Sequence, residues 1–210
     1  RLRRYLESRT RVLAAMSHDL RTPLTRLRLR VESIEDGALR ARCEADLDEM
    51  SNMIRGALGV FRGLNDDEAV APVDINALLA SLRDEYVEVG GVVTLTGTAN
   101  APYQGKPLAL KRCLGNLISN AIQYGNEANV SIEDGDALVI RIRDRGPGVP
   151  PELLEQVFEP FFRLESSRSR DTGGTGLGLS IARDIAQAHG GSIALRNAEP
   201  GLEATLTLPR

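Results

Sequence analysis

Residues 16–25 read Met-Ser-His-Asp-Leu-Arg-Thr-Pro-Leu-Thr. They place one histidine, His18, beside a carboxylate, Asp19, and one helical turn before a hydroxyl, Thr22. An imidazole whose Nδ1–H is held by a carboxylate keeps the lone pair of Nε2 free to attack an electrophile. Leu13, Met16, Leu20, Leu24, Leu27, Val31 and Ile34 recur every three or four residues, the spacing of one apolar seam on a helix. Met16 and Leu20 lie on that seam, so His18 is expected on the solvent side. Thr22 is four residues past His18 and therefore on the same face, where its hydroxyl could hold a water. Pro23 removes the hydrogen bond to the carbonyl of Asp19 and is expected to bend the helix beside the histidine. A solvated surface histidine fits the same residues. The choice depends on whether the rest of the chain supplies an electrophile.

Three other constellations bear on that question. Asn116 and Asn120 are four apart in a helical pattern, so both amides project from one face. Paired amide oxygens suit a hard cation such as Mg2+, although two polar residues on an exposed face look the same. Asp144-Arg145-Gly146-Pro147-Gly148 ends a strand in a carboxylate and two glycines. The carboxylate can accept from an exocyclic amine such as that of adenine, and the glycines admit a planar ring. A tight turn with a capping Asp is the plainer alternative. Gly173-Gly174-Thr175-Gly176-Leu177-Gly178 precedes a helix, whose N-terminal amides bind phosphate. This glycine run is neither a Rossmann nor a Walker pattern, and a linker would read alike. Between the last two constellations lie Phe158, Phe161 and Phe162, followed by Arg163, Arg168 and Arg170. A long loop with apolar anchors and cations is a candidate cover for a nucleotide. His189 before Gly190-Gly191 reads as a helix C-cap with a favourable dipole contact and no chemistry.

The elements that must position these residues follow from spacing and caps. A second helical run through Leu39, Cys43, Leu47, Met50, Ile54, Leu58 and Phe61 succeeds the first after a break at Glu35-Asp36-Gly37. Two helices with a short turn make an antiparallel hairpin. Its one apolar face needs a cover, which a second copy supplies as a dimeric four-helix bundle. Asn65 to Glu68 and Pro72 mark a boundary, giving domains at 1–68 and 69–210. In the second domain Asp74 caps a helix through Leu78, Leu79, Leu82 and Tyr86. A strand is expected at Val92–Thr96 and a helix from Pro107 to Tyr124, with proline in its first turn. Strands are expected near Asn129–Glu133, Ala137–Arg143, Ser192–Arg196 and Ala204–Leu208. One short helix is expected near Glu152–Val157 and another helix over Leu177–His189. Helices and strands mix without strict alternation, which predicts an α+β sandwich with one layer of each.

The 210 residues suit one large or two small domains, and a hydrophobic share of 42% is enough to build real cores. A net charge of −3 gives no support for a nucleic-acid binder. The early arginines read as a solvated face or as a segment beside anionic lipid. No run of eighteen apolar residues spans a bilayer, and the chain opens at Arg1, so it reads as an excised cytoplasmic piece of something longer. Cys43 and Cys113 lack metal spacing and point to buried thiols in a reducing compartment. With two histidines and no cysteine pair, zinc is not expected.

In their order the constellations resemble the catalytic core of bacterial two-component sensor histidine kinases, the osmosensor and envelope-stress subfamily in particular. Residues 12–30 resemble the H-box, Asn116–Tyr124 the N-box, Asp144–Gly148 the G1 box, Phe158–Phe162 the F-box and Gly174–Gly178 the G2 box. The likeness spans essentially the whole chain. It implies a dimerisation and phosphotransfer hairpin, then an ATP-binding domain of the gyrase, chaperone, kinase and mismatch-repair type. It implies that Asn120 ligates Mg2+, that Asn116 supports metal and phosphates, and that Asp144 reads the adenine amine. Gly146, Gly148, Gly174, Gly176 and Gly178 would shape the pocket, with Tyr124 near the nucleotide. The family usually has a basic residue where this chain has Gln123, so the phosphate grip would be weaker or taken over by Arg163 or Arg168. The implied activity is ATP-dependent phosphorylation of His18 and transfer to a receiver-domain aspartate of a response regulator. Thr22 would serve a phosphatase reaction on that regulator. The full protein would sit in the inner membrane through segments upstream. An ATPase of the same superfamily is disfavoured because Asn116 stands where such enzymes carry a water-activating glutamate. A silent docking scaffold is disfavoured by the intact Asn120 and Asp144.

Overall fold

The computed structural model describes residues 23–37, 39, 40, 42–44, 47, 50, 68–164 and 176–210. His18, Asp19, Thr22, Gly174 and Arg168 lie outside these, as do Leu13, Met16 and Leu20 of the first seam and Ile54, Leu58 and Phe61 of the second.

Residues 23–32 are helical, and helix resumes at Gly37. The break falls at residues 33–36. The Ser33 hydroxyl donates back to the Arg30 carbonyl (2.6 Å), and the Asp36 carboxylate accepts from the Leu39 amide (3.2 Å), capping the next helix. Along the expected seams Val31 and Leu47 are buried, whereas Leu27, Leu39 and Met50 are 42%, 48% and 47% exposed. Those three are apolar side chains at helical spacing that the described residues leave uncovered.

The rest is a one-sided sandwich. It runs β1 (Ala71–Val73), α1 (Ile75–Glu88), β2 (Val92–Gly97), β3 (Tyr103–Gly105), α2 (Pro107–Gly125), β4 (Glu127–Asp134), β5 (Ala137–Arg143), two 3-10 turns (Pro151–Leu153 and Gln156–Phe158), α3 (Gly178–Ala188), β6 (Ser192–Asn197) and β7 (Leu202–Pro209). A five-stranded sheet has the order β2-β4-β5-β7-β6. β2 lies parallel to β4, and the other pairs are antiparallel. Ala128, Val130 and Ile132 on β4, and Leu138, Ile140 and Ile142 on β5, alternate inward under the helices. The opposite face carries charge pairs such as Arg196–Glu203 (2.7 Å) and Arg141–Glu133. A sheet with one packed face and one solvated face reads as this alternation.

α1 starts where expected, with Asp74 accepting from the Ala77 amide (3.0 Å). Two strands were not anticipated: β1 and β3 pair with each other in register Ala71↔Gly105. The helix expected near Glu152–Val157 is instead two separate 3-10 turns, closed by Leu153 N–H to Pro150 O (2.8 Å) and Phe158 N–H to Glu155 O (3.3 Å). Six residues are too few to repay helix nucleation, and tighter turns deliver Phe158 into the core. Of the two cysteines only Cys113 is buried; Cys43 is half-exposed, contrary to the expectation of two buried thiols.

Candidate functional site

The site is organised by α2. Leu110, Cys113, Leu114, Leu117, Ile118 and Ala121 are buried under the helix. Asn116, Asn120 and Gln123, spaced by four and three, form a half-buried polar stripe between core and solvent. The start of α2 has no capping side chain of its own. Glu68 supplies one, its carboxylate accepting from the amides of Leu108 (2.6 Å) and Ala109 (3.2 Å). The Lys106 amide donates to Nε2 of His189 (3.0 Å), so the proton of that imidazole sits on Nδ1, which donates to the Ile185 carbonyl (2.7 Å). His189 is the C-cap of α3, as expected. Its ring adds something different from a dipole contact: it ties the end of α3 to the start of α2.

The far end of α2 meets the β5 terminus. A Cβ on Gly125 would lie 2.5 Å from Cβ of Asp144 and 2.8 Å from the Gly146 nitrogen. A Cβ on Gly146 would lie 2.5 Å from the Tyr124 carbonyl oxygen. Glycine at both positions lets helix and turn touch. Asp144 is 4% exposed. Its Oδ1 accepts from the Gly146 amide (2.7 Å) and the Leu202 amide (3.0 Å), and Oδ2 keeps its lone pairs available.

The N-terminus of α3 meets the middle of α2. A Cβ on Gly178 would lie 3.9 Å from Asn116, an ordinary contact. Gly176 has φ +68°, and a Cβ there would strike the Phe162 carbonyl oxygen at 2.8 Å. Its own carbonyl accepts from the Phe161 amide (2.9 Å). Asn116 Nδ2 is buried and has no hydrogen-bond partner among the described residues. A buried amide donor of this kind requires an acceptor. It sits beside helix-terminal amides that favour negative charge.

The three clustered phenylalanines do different things. Phe158 is buried, with the Arg183 guanidinium 4.2 Å above its ring and bonded to Glu155 (2.7 Å). Phe161 is 61% exposed with φ +67° and Phe162 is half-buried, so of the three Phe158 alone is buried in the core.

These residues suit a nucleoside triphosphate: a spare carboxylate oxygen for an amine, a buried N–H donor and a helix N-terminus for phosphate oxygens. Among the described residues no cluster of three or more His, Cys, Asp or Glu could hold a metal. Asn120, half-buried on the same stripe, offers a hard amide oxygen of the kind that would hold a divalent cation such as Mg2+.

Comparison with known proteins decides the family. Residues 105–210 match the family described as histidine kinase-, DNA gyrase B-, and HSP90-like ATPase, and residues 8–64 match the His Kinase A (phospho-acceptor) domain. This chain belongs to the sensor histidine kinases. Sensor histidine kinase GtrS of Pseudomonas aeruginosa is 50% identical over all of this chain and 44% of its own length. Sensor histidine kinase CpxA of Escherichia coli is 34% identical over 99% of this chain and 48% of its length. The chain thus spans about half the length of these curated relatives. Among solved structures, the catalytic domain of histidine kinase ThkA superposes with a TM-score of 0.58 at 28% identity, covering 67% of this chain and 95% of that one. Full-length ShkA in complex with AMPPNP shares the fold, with a TM-score of 0.75 at 24% identity over 95% of this chain and 45% of that one. Both domain matches agree with the expected two-part architecture, a helical part followed by an α+β sandwich.

In this histidine kinase chain α2 meets Asp144 and Gly146 at its Tyr124–Gly125 end and Gly178 at Asn116 in its middle. His18, Asp19, Thr22 and Gly174 fall outside the described residues. Gly125, Gly201, Glu68 and Asn197 also shape this region, and none of them belongs to the expected site residues. A Cβ on Gly201 (φ +104°) would lie 1.9 Å from the Asp144 carbonyl oxygen. The Glu-Pro-Gly at residues 199–201 marks a turn, but nothing in it says which strand end it touches.

Proposed function

We infer that this chain is an ATP-dependent protein histidine kinase that phosphorylates its own His18. We further infer that it passes the phosphoryl group to an aspartate in the receiver domain of a response regulator and acts as a phosphatase toward that regulator. The observation that carries the nucleotide half is the arrangement along α2. Asn116, whose Nδ2 is buried and unpartnered, packs mid-helix against Gly178 in the first turn of α3, while the C-terminal end of α2 touches Asp144. In this reading Asp144 Oδ2 accepts from the adenine amine, and Gly146 and Gly148 let the base approach. Asn116 and the amides at Gly176 and Gly178 hold phosphate oxygens, the family likeness gives Gly174 the same duty, and Tyr124 flanks the nucleotide. Asn120 would hold Mg2+, which would supply charge to offset that on the phosphates.

Asp19 accepts the proton of His18 Nδ1, and Nε2 attacks the γ-phosphorus. The P–N bond forms as the bond to the bridging oxygen breaks, and ADP leaves. Asn116 gives water no general base at the position four residues before Asn120, which favours transfer to the imidazole over hydrolysis. Thr22 positions a water for the reverse duty on the regulator. Residues 1–68 form the dimerising hairpin and 69–210 the ATP-binding domain. The half-exposed Leu27, Leu39 and Met50 support the homodimer, as side chains a second copy would cover. The chain's span of about half its relatives supports a cytoplasmic core of a longer membrane protein. Among the described residues no helix is long and apolar enough to cross a membrane.

The test is incubation with γ-labelled ATP and Mg2+, followed by acid and base treatment. Label that is acid-labile, base-stable and absent from His18→Ala is the expected result. Label persisting in His18→Ala would refute the assignment, and steady phosphate release without label would make the chain an ATPase.

A further inference from the structure

The turn that follows Asp144 is held in place by a residue far from it in sequence. Asn197, the last residue of β6, accepts from the Val149 amide through Oδ1 (2.9 Å) and donates from Nδ2 to the Val149 carbonyl (2.7 Å). The side chain thus pairs with a backbone residue as a neighbouring strand would, satisfying its N–H and C=O together. Gly148 lies directly against this amide: with φ +74°, a Cβ there would sit 2.7 Å from Asn197 Oδ1. On its own strand Asn197 is in register with Leu202 of β7. Leu202 is in turn doubly bonded to Asp144, its carbonyl accepting from the Asp144 amide (3.0 Å) and its amide donating to Oδ1 (3.0 Å). One rung of the sheet, Asn197–Leu202, therefore fixes both ends of the segment from Asp144 to Val149. Leu202 holds the carboxylate through its backbone, and Asn197 holds the exit of the glycine turn through its side chain.

We propose that Asn197 is a positioning residue for the nucleotide base, setting Gly146–Gly148 at a fixed distance from Asp144 so that a purine can lie on the turn while its amine reaches Asp144 Oδ2. The proposal rests on the nucleotide reading above. It differs from a purely structural role because Asn197 is exposed at a strand end, where losing two solvent-facing hydrogen bonds lowers stability little, whereas a displaced turn changes the pocket directly.

The experiment measures ADP and GDP affinity by calorimetry for the 210-residue chain, together with Tm, for wild type, Asn197→Ala, Asn197→Asp and Asn129→Ala. Asn197→Asp keeps the volume and the acceptor but cannot donate to the Val149 carbonyl. Asn129 bonds Thr94 and Glu127 elsewhere on the same sheet and serves as the control. Both Asn197 variants are expected to weaken ADP binding about fivefold or more and to narrow the preference for ADP over GDP, as two ordinary hydrogen bonds allow. They should also raise KM for ATP, with kcat at saturating ATP within about twofold of wild type. Asn129→Ala should leave affinity unchanged. Wild-type affinity in either Asn197 variant, or losses that merely follow Tm in all three variants, would overturn the proposal. A wild-type chain that binds no ADP would overturn the nucleotide reading itself, an outcome distinct from failure of the Asn197 variants alone.

Discussion

Replacing Asp144 with asparagine tests the adenine reading with the least disturbance of the fold. The side chain is nearly isosteric and buried, 4% exposed in the native protein. Two amides, Gly146 and Leu202, point at one carboxylate oxygen. The asparagine must therefore keep its carbonyl oxygen there, since the flipped amide would set its NH2 against two N–H donors. The NH2 group then takes the Oδ2 position and faces the exocyclic amine of adenine, donor against donor. Two bonds donated to a charged acceptor become bonds to a neutral one, a folding cost of about 1 kcal/mol. On the ligand side a charge-assisted bond is lost and a buried donor is left unpaired, together about 3 kcal/mol or more, roughly a hundredfold weaker ATP binding. Guanine presents an acceptor where adenine presents an amine, so GTP binding should be spared or improved. Fluorescence titration with ATP and GTP, alongside urea denaturation, measures both sides. A folded Asp144→Asn chain that binds ATP within about threefold of wild type and shows no change in base preference would refute the reasoning.

The other expectations follow from single contacts. Gly201→Ala should cost more than about 2 kcal/mol in urea denaturation, because its Cβ would meet the Asp144 carbonyl at 1.9 Å with φ at +104°. Gly178→Ala, with only ordinary contacts to Asn116, should leave stability within about 0.5 kcal/mol. Burial pushes the Cys113 thiol up to about 12, so it should resist alkylation at pH 8 in the native chain and react fully once the chain is unfolded. The bond from Arg196 holds the Glu203 carboxyl below its usual range, and the bond from Arg210 does the same for Asp134. A folded-state value below the unfolded one stabilises the fold above the ordinary carboxylate range, and that contribution is lost as pH falls through the folded value. Wild type should accordingly lose more stability than Glu203→Gln on acidification below about pH 4.5, as urea midpoints across pH would show.

The long elements were legible because their signals are local. Asp74 and Pro107 announce helix starts, and β4 and β5 alternate strictly over six residues or more. β1 and β3 were not, because strands of three residues, one of them with Pro72 at its centre, carry no period and exist only through each other. The polar stripe of α2 was readable as Asn116 and Asn120 at helical spacing. What that stripe faces was not, since Gly125 against Asp144 and Gly178 against Asn116 are contacts between elements that no spacing records. The same holds for Asn197, whose partner is 48 residues away. Glu68 fell at an expected boundary and looked like part of an acidic linker, whereas its carboxylate is a helix cap.

The manner in which α2 begins has a consequence for how the domain comes apart. A helix that carries its own capping residue can persist locally when its surroundings loosen. α2 cannot, because its first amides depend on Glu68 from one direction and His189 from the other, partners 40 and 83 residues distant. Opening either neighbour exposes the helix start, and fraying of that start releases both neighbours. The amide protons of Lys106, Leu108 and Ala109 should therefore exchange with solvent only as the whole α+β unit opens, unlike the fast-exchanging first turn of a self-capped helix. The chain thus binds the asparagine helix into a single cooperative unit from its first residue.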